Sequence, residues 1–327
     1  MKRKNIDPII EKIYAKVLSH KRGNGAYVNR SDNKDAFADA YGCADALNIL
    51  YSLNRFPRDL NIRAAHIKNL QALQDKESGL FKDDGCHHVI HTTAHCISAL
   101  ELMDARPLYP IYALEEYKDI NKVFEMLEGI DWLHRGKGAH SGAGIYAAFV
   151  NTDAVGPDWR QGYFDGLNKT CDPESGLWKK EPVADFPIRL QIGDTFHYLF
   201  NYGHAKEPIP YPEALIDTCL SAYRNGDMGE SFGKQFHYIE MDWVYCLNRA
   251  SHQTPHRFYE IKEVIEEFAE GYFEYLETTD WEKEYWADDL HLCFGVTCAL
   301  AELQRALPGK VYSSEPLRLV LDRRPFI

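Results

Sequence analysis

The sequence predicts an all-α protein, an (α/α)6 toroid of six outer and inner helix pairs in one domain, residues 1–327. Three observations predict it. Amphipathic and almost wholly apolar helical segments alternate along the chain. The apolar segments centre near Asp45, Ile97, Ile145, His197, Tyr245 and Cys293, roughly one every fifty residues, longer than common helical repeats. The loop D-K-E-S-G-L-F at Asp75–Phe81 returns as D-P-E-S-G-L-W at Asp172–Trp178, 172 − 75 = 97 residues later. That offset suits two helical hairpins, and self-similarity at a fixed period marks a repeat. A helix without a polar face must be covered by others. Inner helices ringed by outer ones satisfy this. An open superhelix would need polar capping repeats, and neither terminal pair is polar.

The outer helices are expected over Asn5–His20, Arg58–Gln74, Ile120–Leu133, Trp159–Thr170, Tyr211–Arg224 and Phe258–Leu276. The first carries an apolar stripe at Ile9, Ile10, Ile13, Tyr14 and Val17. The fifth opens at Pro212, where a missing N–H does no harm. The inner helices are expected over Asp35–Leu53, His91–Met103, His140–Val150, Ile192–Tyr202, Ile239–Ala250 and Asp288–Leu303. Arg22–Lys34 reads as a Gly/Asn/Ser-rich loop, and the chain from about Pro308 onward as a surface tail. Closure of the ring would set Asp35–Leu53 beside Asp288–Leu303. Gly79 and Gly176 should occupy equivalent turns with positive φ.

Composition narrows the function. With 45% hydrophobic and 13% aromatic residues, a large core can form. The net charge is −12 and no Lys/Arg cluster occurs, which argues against nucleic acid. No apolar run is long enough to span a bilayer. After the basic Met1–Lys4, Asp7, Pro8 and Glu11 stand where a signal peptide needs apolar residues. The eight cysteines lack C-x-x-C pairs and read as reduced thiols of a cytoplasmic protein. The expected partner is a small molecule or an oligosaccharide.

The order of outer helix, Q-A-L-Q-D-K-E-S-G-L-F loop and inner helix beginning H-T-T-A-H resembles the α/α-toroid proteins. Two branches share features with it. Terpenoid cyclases and protein prenyltransferases carry a Gln…Gly-Phe/Trp loop in their repeats. Six-hairpin glycosidases, including unsaturated glucuronyl and rhamnogalacturonyl hydrolases, have loops similar to D-P-E-S-G-L-W. The resemblance implies a carbohydrate-active enzyme, foremost a glycoside hydrolase. Alternatives are a terpenoid cyclase or prenyltransferase-like enzyme, a polysaccharide lyase, and a non-catalytic ligand-binding toroid. The cyclase D-x-D-D motif is absent; W-A-D-D at Trp286–Asp289 has Trp in place of the first Asp. The prenyltransferase zinc set, Asp-x-Cys plus a later His, is not matched by Asp242 and Cys246, though His291 follows. No metal and no cofactor are therefore expected.

The six inner helices should converge at their N-termini, with free N–H groups aimed into one mouth. The polar residues there are Asp39, Tyr41, His91, Thr92, His95, His140, Ser141, Asp194, His197, Glu240, Asp242, Asp288, Asp289 and His291. Glycosidic cleavage needs two carboxyl groups, and Asp194, Asp242 and Asp289 are the catalytic candidates. Tyr41, His91, His95, His140, Trp159, Arg160, His197, Glu240, Trp243, Trp286 and His291 are the substrate-binding candidates. Apolar ring faces beside acids suit sugar rings. In a lyase, Arg160 would hold the uronate carboxylate. Taken singly, Asp194, Ser141 and Asp289 read as helix caps, each His as a satisfied core residue, and the cysteines as small apolar packing. At least one of the buried acids should have a raised pKa.

Overall fold

A computed structural model describes residues 1–82, 88–129, 137–178 and 186–326. The chain is all-α. Its helices are α1 (Asp7–Ser19), α2 (Ala40–Ser52), α3 (Leu60–Gln71), α4 (Val89–Glu101), α5 (Ile120–Gly129), α6 (Lys137–Asn151) and α7 (Pro157–Thr170). They continue with α8 (Ile188–Ala205), α9 (Pro212–Arg224), α10 (Tyr238–Ser251), α11 (Phe258–Thr278), α12 (Leu290–Ala306) and the short α13 (Val320–Arg323). Single 3-10 segments cover Tyr112–Lys118 and Tyr285–Asp288. Strand content among the described residues is slight. β1 (Lys4–Asn5) pairs in parallel with β4 (Val311–Tyr312), and β2 (Lys21–Gly23) forms a hairpin with β3 (Ala26–Tyr27). That hairpin lies in the stretch expected to be loop.

Sequence character decides which helices are buried. Every residue of α2 from Ala40 to Leu50 is buried, and α10 and α12 are nearly as covered. In contrast α3 buries only His66 and Leu70. The buried helices contact one another in order: α2 with α4, α4 with α6, α6 with α8, α8 with α10, α10 with α12, and α12 with α2. The last of these is the contact expected between the first and last inner helices. α1 packs against α2, α11 and α12, at the place where the cycle returns to its start. Small side chains permit close packing. The thiol of Cys96 donates to the Ala40 carbonyl and that of Cys246 to the Ile192 carbonyl, each crossing between neighbouring inner helices.

Two helix starts differ most from expectation, each for a local reason. α2 begins at Ala40 because the Asp39 carboxylate caps it, accepting from Gly42 N at 2.6 Å and from Asn29 N at 2.8 Å. α8 begins at Ile188, behind Pro187, so Asp194 lies well inside the helix and is not its cap. The final segment also differs. Expected on the surface, it sends Arg324 and Phe326 fully inside. Arg324 Nε donates to Asn48 Oδ1 of α2 at 2.7 Å, and Asn201 of α8 donates to the Pro325 carbonyl at 2.9 Å. Polar groups on the inner helices receive a segment whose composition looks like that of a surface strap.

The repeated loops share their main hydrogen bonds. Gly79 N donates to the Asp75 carbonyl and Gly176 N to the Asp172 carbonyl, both at 2.8 Å. The Ser78 and Ser175 hydroxyls donate to the carboxylates of Asp75 and Asp172. Each loop then ties to the following inner helix, Phe81 N donating to Thr93 Oγ1 and Trp178 N to Thr195 Oγ1. Gly79 has φ +75° and Gly176 φ +69°. A Cβ on Gly79 would stand 1.9 Å from the Pro110 carbonyl oxygen. Gly79→Ala is therefore expected to lower unfolding free energy by at least ~1–3 kcal/mol, the range for a strained backbone residue. Urea unfolding of the variant beside Lys76→Ala, an exposed neighbour, checks this; equal midpoints would remove the loop from its structural role.

Candidate active site

Five inner helices send polar side chains from their first turns or their middle to one place. α2 contributes Tyr41 and Asp45, α4 His91 and His95, α6 His140, α8 His197, and α12 His291. On α2 and α4 the pairs are four residues apart, so both members share a helix face. The rings crowd together: His91 lies 4.9 Å from His140, 5.7 Å from His291 and 6.1 Å from His197, centroid to centroid. His140 and His197 are 4.1 Å apart, His95 and His291 5.5 Å. Tyr41 sits edge-on to His291 at 4.6 Å.

Asp45 binds the cluster together. It is wholly buried, and its Oδ1 accepts from His95 Nε2 at 2.8 Å. His291 Nδ1 lies 3.2 Å from both carboxylate oxygens. Burial acts to raise this carboxyl, but His291 and His95 overbalance it and hold the pKa at about 2. Burial lowers His95 to about 4 despite Asp45, with Arg324 adding to the effect. The network thus holds an ionised carboxylate beside a neutral His95 at neutral pH. Tyr238, at the first turn of α10, donates its hydroxyl to the His291 carbonyl at 2.7 Å and so fixes that ring's helix turn.

The remaining rings are oriented by other oxygens. Tyr41 OH is 2.9 Å from His91 Nδ1. His197 Nδ1 donates to the Gly193 carbonyl at 2.7 Å. A carbonyl only accepts, so in the neutral ring the lone pair of His197 is on Nε2. Two groups of three have potential ligand atoms all within 4.8 Å of one another: His91, His140 and His197, and Asp45, His95 and His291. Either set has donors of a type that could hold a metal.

The carboxyls form a second feature beside the histidines. Asp194 on α8 and Asp242 on α10 are both buried, and Asp242 approaches α8 at Gly193, the residue before Asp194. Asp242 Oδ2 stands 2.9 Å from where a Cβ on Gly193 would be, a space only glycine leaves. Burial pushes Asp194 up to about 7. Burial, then Glu240 and Asp194, push Asp242 well above the carboxylate range. Glu240 is also raised to about 7 by burial, yet it serves the loop before α10, accepting from Gly233 N at 2.9 Å and Gln235 Nε2 at 3.0 Å.

Other expected residues are placed elsewhere. Asp289 caps α12, accepting from His291 N at 3.0 Å and Leu292 N at 3.2 Å, with Arg30 3.6 Å away. Trp159 donates to the Tyr117 carbonyl and stacks on Tyr163. Trp243 donates to the Cys219 carbonyl and packs with Tyr223, Phe232 and Phe268. Both indoles therefore fill the space between helix layers. Arg160 influences Tyr146 and His204, the latter near the far end of α8. The side chain of Trp286 lies outside the described residues. Asp45 and Tyr238 are site residues that the sequence reading passed over. Asp45 follows Tyr41 by four, the same spacing that relates His91 and His95.

Compared with protein-family models, curated proteins and solved structures, the chain matches none. Among the described residues, no helix is long and apolar enough to cross a membrane.

The acid pair makes a pH prediction. Asp194 holds its proton more tightly folded than unfolded, moving from 3.8 to about 7. Its contribution to stability is fully present below pH 3.8 and is lost as pH rises through about 7. Asp194→Asn carries no such titration. Relative to the parent protein, it should gain about 2–3 kcal/mol of stability between pH 5 and pH 8, from ~1.4 kcal/mol per pKa unit. Urea unfolding of both proteins at the two pH values measures it; a constant gap would mean that Asp194 is ionised throughout.

Proposed function

We propose that the cycle of inner helices is an (α/α)6 toroid and that its N-terminal mouth is the active site of an acid–base hydrolase acting on glycosidic bonds. The pairwise contacts from α2 round to α12 and back support the architecture. The observation that carries the chemistry is the approach of the buried Asp242 carboxyl on α10 to Gly193 of α8, the residue that precedes the buried Asp194. Glycosidic hydrolysis asks for one carboxyl that is protonated and one that can ionise. Burial raises both carboxyls, and Asp194 once ionised makes the proton of Asp242 harder still to lose.

In this reading Asp242, the more strongly raised, protonates the departing glycosidic oxygen. Asp194, lifted to about 7, supplies the base or nucleophile. Tyr41, His91, His140 and His197 would meet sugar hydroxyls, since imidazoles and phenols both donate and accept. Asp45 and the histidines it holds would keep those rings in register. Buried free thiols, seen at all seven described cysteines, agree with a reducing cytoplasmic setting.

Asp194→Asn and Asp242→Asn should each reduce turnover of a cleaved aryl glycoside or unsaturated disaccharide by about 10²–10⁴-fold, the usual contribution of a general acid or base. Melting temperatures measured below pH 6 should stay close to the parent value. A panel of such substrates with each variant checks this. Full activity in both variants would remove the acid pair from the reaction.

A further inference from the structure

We propose that His91, His140 and His197 form a binding site for one divalent transition-metal ion of the zinc type. The three imidazoles come from three successive inner helices, α4, α6 and α8, and their ligand nitrogens lie within 4.8 Å of one another. Zinc–nitrogen bonds of ~2.0–2.1 Å set tetrahedral ligand nitrogens about 3.3 Å apart, so small ring rotations complete the set. The backbone is already in place, since each ring stands on a helix packed against the next.

The choice between the two triads follows from where the protons are. A metal needs lone pairs, which means deprotonated ligand atoms. In the triad of Asp45, His95 and His291, both rings direct N–H toward the carboxylate, at 2.8 and 3.2 Å. That triad is internally satisfied and braces the site. In the other triad, His197 gives its Nδ1 proton to the Gly193 carbonyl and keeps its lone pair on Nε2. Tyr41 oxygen, 2.9 Å from His91 Nδ1, can accept a hydrogen bond from that N–H, the tautomer that carries the ring's lone pair on Nε2. A backbone carbonyl or hydroxyl on the distal nitrogen is how metal-bound histidines are oriented.

Three imidazoles and no carboxylate make the set that catalytic zinc sites use, with the fourth position left for water or substrate. His140 is only half-buried, which gives an ion a way in past the fully buried brace. With an ion bound, these three rings would hold the metal instead of meeting sugar hydroxyls directly, while the acid pair is untouched; the test reads metal and not turnover.

The full chain, stripped with a chelator and dialysed into metal-free buffer, is titrated with Zn²⁺ against a chromophoric chelator and with Co²⁺ in the visible range. One equivalent should bind, and the Co²⁺ form should show the intense bands of a four- or five-coordinate site. His140→Gln, the variant at the most accessible ligand, should weaken Zn²⁺ binding beyond the roughly 10–100-fold that removing the outer partner in Tyr41→Phe brings. Circular dichroism melting of both variants in chelator establishes that they are folded. No stoichiometric Zn²⁺ binding by the folded parent protein would overturn the proposal. So would unchanged affinity in folded His140→Gln.

Discussion

A carboxylate removed from water must be matched by donors, and Asp45 finds them on both helices that flank its own. It lies on α2, its partners His95 and His291 on α4 and α12. The three helices it joins include the pair through which the helix cycle returns to its beginning. The same hydrogen bonds therefore hold first and last inner helices together and set the rings of the polar cluster. Breaking one side would leave an ionised group buried without full compensation, a loss of several kcal/mol by general experience. Partial satisfaction is worse than none in such a network, which ties the geometry of the cluster to the closure of the cycle.

The floor of the cluster is supplied by the last described segment. Phe326 sets its ring edge against His91 at 4.9 Å and Phe200 at 5.4 Å. Arg324 is buried beside it, bonded to Asn48 and to the Phe326 carbonyl, with its guanidinium 5.7 Å from the Phe294 ring. Burial lowers Arg324 to about 10, still cationic at neutral pH. That fixed charge helps to keep His95 neutral and offsets Asp45. The segment thus acts on the cluster electrostatically as well as by packing.

Most of this was legible in the sequence, and the misses share one cause. Helical period and the paired E-S-G-L loops located the inner and outer helices, and with them Tyr41, His91, His95, His140, His197 and His291. Periodicity gives the burial of a helix but not its rotation. Trp159 and Trp243 sit on the right helices yet face between layers. Asp289 sits at the right helix start yet spends its carboxylate on the cap. Asp45 was hidden because it lies one turn deeper than the residues that mark a helix mouth. Arg324 and Phe326 were hidden because a segment rich in Pro, Ser and Arg gives no sign of the asparagines waiting for it on α2 and α8.

Gly193 joins the two halves of the candidate site. Its carbonyl fixes the ring of His197, and its missing side chain makes room for the Asp242 carboxylate. Asp194 is the next residue along the helix. One backbone unit thus sets the spacing between the histidine cluster and the acid pair. Rotation of α8 by any amount would move His197 and Asp194 together and change both relative to Asp242. A candidate site of this kind gains precision from the arrangement, because its polar groups are placed by packed helices rather than by loops. The burial that makes the placement rigid is also what raises Asp194 and Asp242. Geometry and proton affinity in this site therefore have a single origin, the tight approach of α8 to α10.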